Sequence, residues 1–341
     1  MQKILQFLCI ATSLASLCGC GAGRTVSLSA SRFTISYVGK LDTIVTLTAY
    51  CQDASDFSAL SGEVEAELTR LDRIFDVYNP ASAVSRVNGR ERVESAELAG
   101  LLRYCRAKEA VCGGVNVVMG SLISLWDKAR AAGIPPVRAS VEEALAHASM
   151  DSLVIEGNAV SLSDPKAALN LGAVAKGYAA ERLAALLRAK GVEAFLLDCG
   201  TSTLICEGRP PDKDAWRIAL RNPDASLNVS GDPSPPETLG TLALTDCCMG
   251  VSGDYQKYFS YNGTYYSHIL SPETGEPVRY YRMVCVLTEN AADADYYSTA
   301  LFVLPPEDSR RKAEEAGIEA LWMAADGTLR WTAGFPPLAS P

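Results

Sequence analysis

The chain has 341 residues, 48% of them hydrophobic, with 31 basic against 40 acidic side chains and a net charge of −9. This is enough apolar material for one large core or two moderate ones. The scattered negative charge argues against a nucleic-acid surface, and no basic amphipathic stretch suggests direct membrane-surface binding. Only two histidines are present, and the 11 cysteines include no CxxC pair, which argues against a zinc or dithiol redox centre.

Met1-Gln2-Lys3 is a short basic start, residues 4–17 form an apolar run, and Leu17-Cys18-Gly19-Cys20 closes it. The run is too short to span a bilayer and reads as a secretory signal over residues 1–19. Its ending resembles a bacterial lipobox, in which Cys20 is acylated after cleavage; a plain signal peptide with a chance cysteine is the alternative. On the lipobox reading, residues 20–40 form a tether, and the protein is extracytoplasmic, held to the bacterial cell membrane by lipid on Cys20. Most of the eight later cysteines sit in apolar runs, as small buried hydrophobes do.

Residues 43–50 alternate β-branched and apolar side chains and predict a strand. Val64, Leu68, Leu71 and Phe75 recur at helical spacing, and Tyr78-Asn79-Pro80 ends that helix. Leu98, Leu101, Leu102 and Cys105 mark a second helix over 96–110, followed by Gly113-Gly114 and an apolar stretch to Trp126. Pro135-Pro136 is a break, 141–148 a short helix, and 153–155 with 159–162 a hairpin around Gly157-Asn158. The clearest helix covers 175–190, with Gly191 as its stop, and a strand over 194–197 follows. Residues 222–240 hold four prolines and little hydrophobicity and read as a flexible loop. Strands resume at Leu242 and over 283–287. The end reads helix 307–316, strand 320–324, turn Asp326-Gly327, strand 329–332. The pattern is α+β, a mixed and largely antiparallel sheet packed with helices. It is not a Rossmann fold, because a GxGxxG fingerprint in the right context is absent.

Three segments carry chemistry. Asp295 and Thr299 lie four residues apart, on one face if the segment is helical; a carboxylate and a hydroxyl are hard oxygen donors suited to Mg²⁺ beside a phosphate. Gly172 through Lys176 places a glycine turn and a lysine at the mouth of the strongest helix, an anion site in waiting. An ordinary strand-to-helix turn with an exposed lysine is the structural alternative. His268 stands directly before the Ser271-Pro272-Glu273-Thr274-Gly275 turn, and an imidazole with a pKa of about 6.5 suits general-base work.

Further segments accompany these in order: Asp42-Thr43, Tyr78-Asn79-Pro80, Ser85-Arg86-Val87-Asn88, Gly114-Val115-Asn116, Leu125-Trp126 and Ser252-Gly253-Asp254-Tyr255. The set resembles the ApbE family, the FAD:protein FMN transferases, over residues 41–335. The resemblance implies a T-fold-like domain that binds FAD and Mg²⁺. It further implies transfer of FMN, as a phosphoester, to a threonine or serine of an acceptor flavoprotein subunit, a membrane or extracytoplasmic redox protein, with release of AMP. By the same resemblance Asp295, Thr299, the Ala173 carbonyl and the Ser298 position surround the metal. Leu41, Tyr78, Gly114, Val115, Asn116, Asn170, Lys176 and Ile269 contact FAD. His268 deprotonates the acceptor hydroxyl, so the rate should fall below about pH 6.5. Asn116 and Asn170 stand where aspartate is usual, keeping the shape but losing the charge. Two alternatives share the site: a hydrolase giving FMN and AMP, and a non-catalytic flavin-binding lipoprotein. A solute-binding lipoprotein is a third, against which stands the lack of repeated βα units.

Overall fold

The computed structural model describes residues 30–200, 202–226 and 236–340; the expected leader and acylated Cys20 lie outside the described residues. An antiparallel hairpin opens the chain, β1 (Ser31–Lys40) and β2 (Thr43–Cys51). The long helix α1 (Ala54–Phe75) starts where the Asp53 carboxylate accepts from the N–H groups of Ser55 and Asp56. After it come α2 (Ala83–Asn88), β3 (Val93–Glu94), α3 (Ala96–Val111), α4 (Gly120–Ala132) and α5 (Arg138–Ala146). Ser82 and Ser95 cap α2 and α3 through their hydroxyls. β4 (Leu153–Glu156) and β5 (Ala159–Leu162) make the expected hairpin, with β3 added beside β5. Then follow α6 (Ala175–Ala189), β6 (Phe195–Cys199), β7 (Thr203–Glu207), β8 (Trp216–Arg221), α7 (Pro223–Ser226), β9 (Thr238–Leu244) and β10 (Cys247–Gly253). A small hairpin, β11 (Tyr258–Tyr261) and β12 (Thr264–Ser267), precedes β13 (Tyr281–Thr288). The chain finishes with α8 (Ala291–Val303), α9 (Pro306–Ala316), β14 (Glu319–Ala324) and β15 (Leu329–Trp331).

The main sheet has eight strands in the order β1-β2-β6-β7-β10-β13-β14-β15, and every neighbouring pair is antiparallel. This is the α+β, antiparallel architecture that the sequence pattern predicts. One face carries α1, α3, α6 and α8 over the larger core. The other is covered by the separate β8–β9 pair. A third, smaller cluster joins α4 and α5 to the β11–β12 hairpin through Trp126, Phe259 and Tyr266.

Two expected boundaries change. Residues 31–40, expected within the tether, form β1: Phe33, Ile35 and Tyr37 alternate with polar residues, and the Tyr37 hydroxyl donates to Ser61 O on α1 at 2.9 Å. The loop expected over 222–240 is also narrower. It begins with α7 and ends in β9, the Asn222 amide closing it by donating to Pro236 O at 2.9 Å, while residues 227–235 lie outside the described residues.

Helix α8 has buried residues around its whole circumference, as a central helix must. Its neighbours approach it through glycines. A Cβ on Gly177 of α6 would overlap the Ala291 carbonyl oxygen and lie 2.6 Å from Asp295 Cβ. A Cβ on Gly250 of β10 would overlap the carbonyl of Ala294. In both cases the obstacle is backbone, which cannot swing aside. Gly177→Ala is therefore expected to cost about 1–3 kcal/mol in urea unfolding, the range for overpacking. Gly62→Ala on α1, where nothing lies within 4 Å of the added methyl, should instead be neutral or stabilise by about 0.4–1 kcal/mol. Equal effects from the two would contradict this packing.

Candidate active site

A cavity of about 350 Å³ opens where the start of α6, the Asp295–Thr299 turn of α8, the end of β10, α4 and the β1–β2 turn converge. That volume lies within the range of small-molecule sites. Leu41, Tyr78, Gly114, Val115, Asn116, Asn170, Ala173, Lys176, His268, Ile269, Asp295 and Thr299 all line it. Of the expected site residues within the described chain, Ser298 is not among those lining the cavity. Its hydroxyl is 1% exposed and donates to Asp295 O at 3.1 Å, one turn back on the same helix.

The carboxylate comes first, because it is buried and must be compensated. Asp295 is 3% exposed. Its Oδ2 accepts from the Gly177 N–H at 2.9 Å, while Oδ1 stands 3.8 Å from the Lys176 ammonium. Gly177 lies in the first turn of α6, where backbone N–H groups are otherwise unpaired. The anion expected at this helix mouth is thus, in part, the protein's own Asp295. Lys176 spends a hydrogen bond of 2.6 Å on Gly172 O, so its charge is fixed over the cavity floor. The Thr299 hydroxyl sits one turn along α8 from Asp295, 3.1 Å from Ser252 Oγ.

His268 follows β12. Its Nδ1 lies 3.1 Å from Lys257 O, and its own backbone N–H donates to the same carbonyl at 3.0 Å. A carbonyl only accepts, so Nδ1 carries the proton and the Nε2 lone pair is left as a base. Desolvation in the cavity, then the nearby Lys257 charge, pushes the imidazole pKa down to about 4. The direction is away from the free histidine value of about 6.5, because burial disfavours the charged ring.

The two amides behave differently from free ligand contacts. Asn116 Oδ1 accepts from Val118 N–H at 2.8 Å, and its Nδ2 donates to Ala148 O at 2.5 Å. Asn170 Oδ1 accepts from Gly172 N–H at 2.9 Å. Both oxygens shape the loops that form the wall, a task an aspartate oxygen would also perform. Leu41 lies in the two-residue β1–β2 turn. Leu41 and Asp42 have φ of 54° and 55°, the pattern of a type I′ hairpin turn. Asp72 Oδ1 accepts from Leu41 N–H at 2.9 Å, and Lys257 Nζ grips Asp42 Oδ2 at 2.9 Å. The ion pair spans the cavity between the β1–β2 turn and the segment that carries His268. Sequence patterning missed it, since the two residues are 215 apart. It also missed the Asp127–Arg130 pair on α4 (2.7 Å), whose i,i+3 spacing was a readable signal.

The other histidine, His147, pairs with Asp164 at 2.8 Å away from this cavity.

Comparison with known proteins follows the same outline. The ApbE family model matches residues 41–322. A protein of Klebsiella pneumoniae named FAD:protein FMN transferase is 25% identical over 339 residues, 95% of this chain and 92% of its own. One of the same name from Vibrio cholerae is 27% identical over 297 residues, covering 84% of this chain and 86% of its own. The crystal structure of an ApbE protein from Thermotoga maritima superposes with a TM-score of 0.78 at 25% identity, over 89% of this chain and 98% of that one. Family match and fold agree over most of the described chain, and the chain belongs to the ApbE family.

Proposed function

We propose that the chain transfers the FMN half of FAD to a serine or threonine hydroxyl of a partner flavoprotein, releasing AMP, with Mg²⁺ at Asp295 and Thr299. The observation that carries this reading is a single cavity with a carboxylate–hydroxyl pair on one wall and a neutral imidazole on another. The relatives' shared name gives FAD as donor and a protein as acceptor.

The donor set fits a hard divalent cation. Asp295, Thr299 and Ala173 all line the cavity, and their carboxylate, hydroxyl and carbonyl groups are oxygen donors. Among the described residues no group of three or more His, Cys, Asp or Glu could hold a metal, and Asp295 is the one carboxylate in the proposed donor set. Mg²⁺ is typically held by one or two carboxylates with phosphate oxygens and water completing its shell. Bound there, the cation supplies positive charge beside the diphosphate.

The chain's own residues do the rest. Leu41, Tyr78 and Ile269 offer apolar surface to a flavin ring, and Lys176 holds positive charge beside the phosphates. His268 Nε2 takes the proton of the incoming hydroxyl. The hydroxyl oxygen then bonds to the phosphorus nearest the riboflavin, that phosphorus loses its bond to the bridging oxygen, and AMP leaves with the electron pair. Such transfer depends mostly on positioning and charge neutralisation. The non-catalytic alternative loses its main ground, because Asn116 and Asn170 use their side-chain oxygens within the protein fabric.

Intact-mass spectrometry of an acceptor flavoprotein incubated with the chain, FAD and Mg²⁺ should reveal one added FMN. Asp295→Ala should abolish the adduct with far-UV circular dichroism unchanged. Free FMN without adduct would mark a hydrolase, and intact FAD a binding protein.

His268→Ala should keep FAD binding while adduct formation falls by roughly 10²–10⁴-fold. The neutral ring is the active form and its pKa is about 4. The acid limb of kcat/KM, which reports the free enzyme, should therefore have its midpoint near pH 4. A midpoint near the ordinary histidine value would contradict the desolvated base.

A further inference from the structure

We infer that Ser252 is a positioning residue that turns the Thr299 hydroxyl so that its lone pairs face the cation; this rests on the metal reading above. Ser252 lies in β10, is 9% exposed and lines the cavity. Its Oγ is 3.0 Å from Ser298 Oγ and 3.1 Å from Thr299 Oγ1.

Three hydroxyls in contact have three protons, and the direction of each follows from the one fixed end. The Asp295 carbonyl can only accept, so the Ser298 proton goes to it, at 3.1 Å. Ser298 must then accept from Ser252. Ser252, its proton spent, accepts from Thr299. The chain ends with the Thr299 proton pointing away from the cavity and its oxygen presenting lone pairs into it, which is what a cation ligand requires. Ser298, displaced from the cavity itself, is thereby given a task as the fixed anchor of the relay.

The backbone explains why these groups meet. Gly250 lets β10 touch α8 at Ala294. Ser252 is two residues further on the same face of the strand, and Ser298 is one helical turn beyond Ala294. The strand step of about 6.6 Å and the helix pitch of about 5.4 Å are close enough to keep the two in register. Without the Ser252 oxygen, the Thr299 proton would turn to the carbonyl one turn back, and its lone pairs would rotate with it.

The test is Mn²⁺ binding to the purified protein, followed by calorimetry and by the paramagnetic signal of free Mn²⁺, with thermal unfolding in the absence of metal as a check on the fold. Ser252→Ala should weaken Mn²⁺ binding about 10–100-fold, the usual effect of losing a group that orients a ligand. Ser252→Thr, which keeps the hydroxyl, should recover most of it. Because Ser252 acts through Thr299, the double variant Ser252→Ala/Thr299→Val should bind no more weakly than Thr299→Val alone. Independent effects would multiply instead. Binding by Ser252→Ala within about twofold of wild type, with Asp295→Ala inactive in binding, would overturn the positioning role and leave the metal site standing. Multiplying effects in the double variant would also overturn it. A wild-type protein that binds no Mn²⁺, alone or with FAD, would overturn the metal reading itself.

Discussion

The site depends on how closely α6 and β10 approach α8. Helix α8 is wrapped by protein on all sides, yet it must show one turn, bearing Asp295 and Thr299, to a cavity. Gly177 and Gly250 make this possible by letting backbone meet backbone. The first contact delivers a helix N-terminal N–H to the Asp295 carboxylate. The second delivers Ser252 to Ser298 and Thr299. Packing and chemistry are therefore one requirement: a side chain at either glycine would open a gap at the spot where the oxygens converge.

The electrostatics follow from that geometry. Burying an unpaired carboxylate costs on the order of several kcal/mol. Among the described residues only one oxygen of Asp295 has a close donor, the other facing Lys176 at a distance. On the proposed reading, a cation entering the cavity would complete what the fold leaves half satisfied. His268, by contrast, is kept uncharged by the same enclosure, helped by Lys257. Lys257 itself ties the His268 segment to the β1–β2 turn through Asp42, so the base and one wall of the cavity move as a unit.

Much of this was legible in the chain. The four-residue spacing of Asp295 and Thr299 becomes one face of α8, Lys176 falls at the mouth of α6, and both share a cavity with His268. What escaped depended on partners distant in sequence. Nothing in the run Tyr297-Ser298-Thr299 tells which hydroxyl faces inward; β10 decides it. The imidazole pKa is set by enclosure, which no local motif reports. The backbone partners of the Asn116 and Asn170 oxygens were equally out of sight of any local motif. Other features were missed despite a signal. The alternation of Phe33, Ile35 and Tyr37 marks β1, and Asn262-Gly263, both with positive φ, is a type I′ turn that marks the β11–β12 hairpin.

The most direct test of a cation held by α8 opposite the His268 base is the anomalous signal of Mn²⁺ in crystals grown with FAD. The expected peak lies between the Asp295 carboxylate and the Thr299 hydroxyl, at about 2.0–2.5 Å from each oxygen, against the FAD diphosphate. A peak at a different place, or none with FAD bound in the cavity, would contradict it.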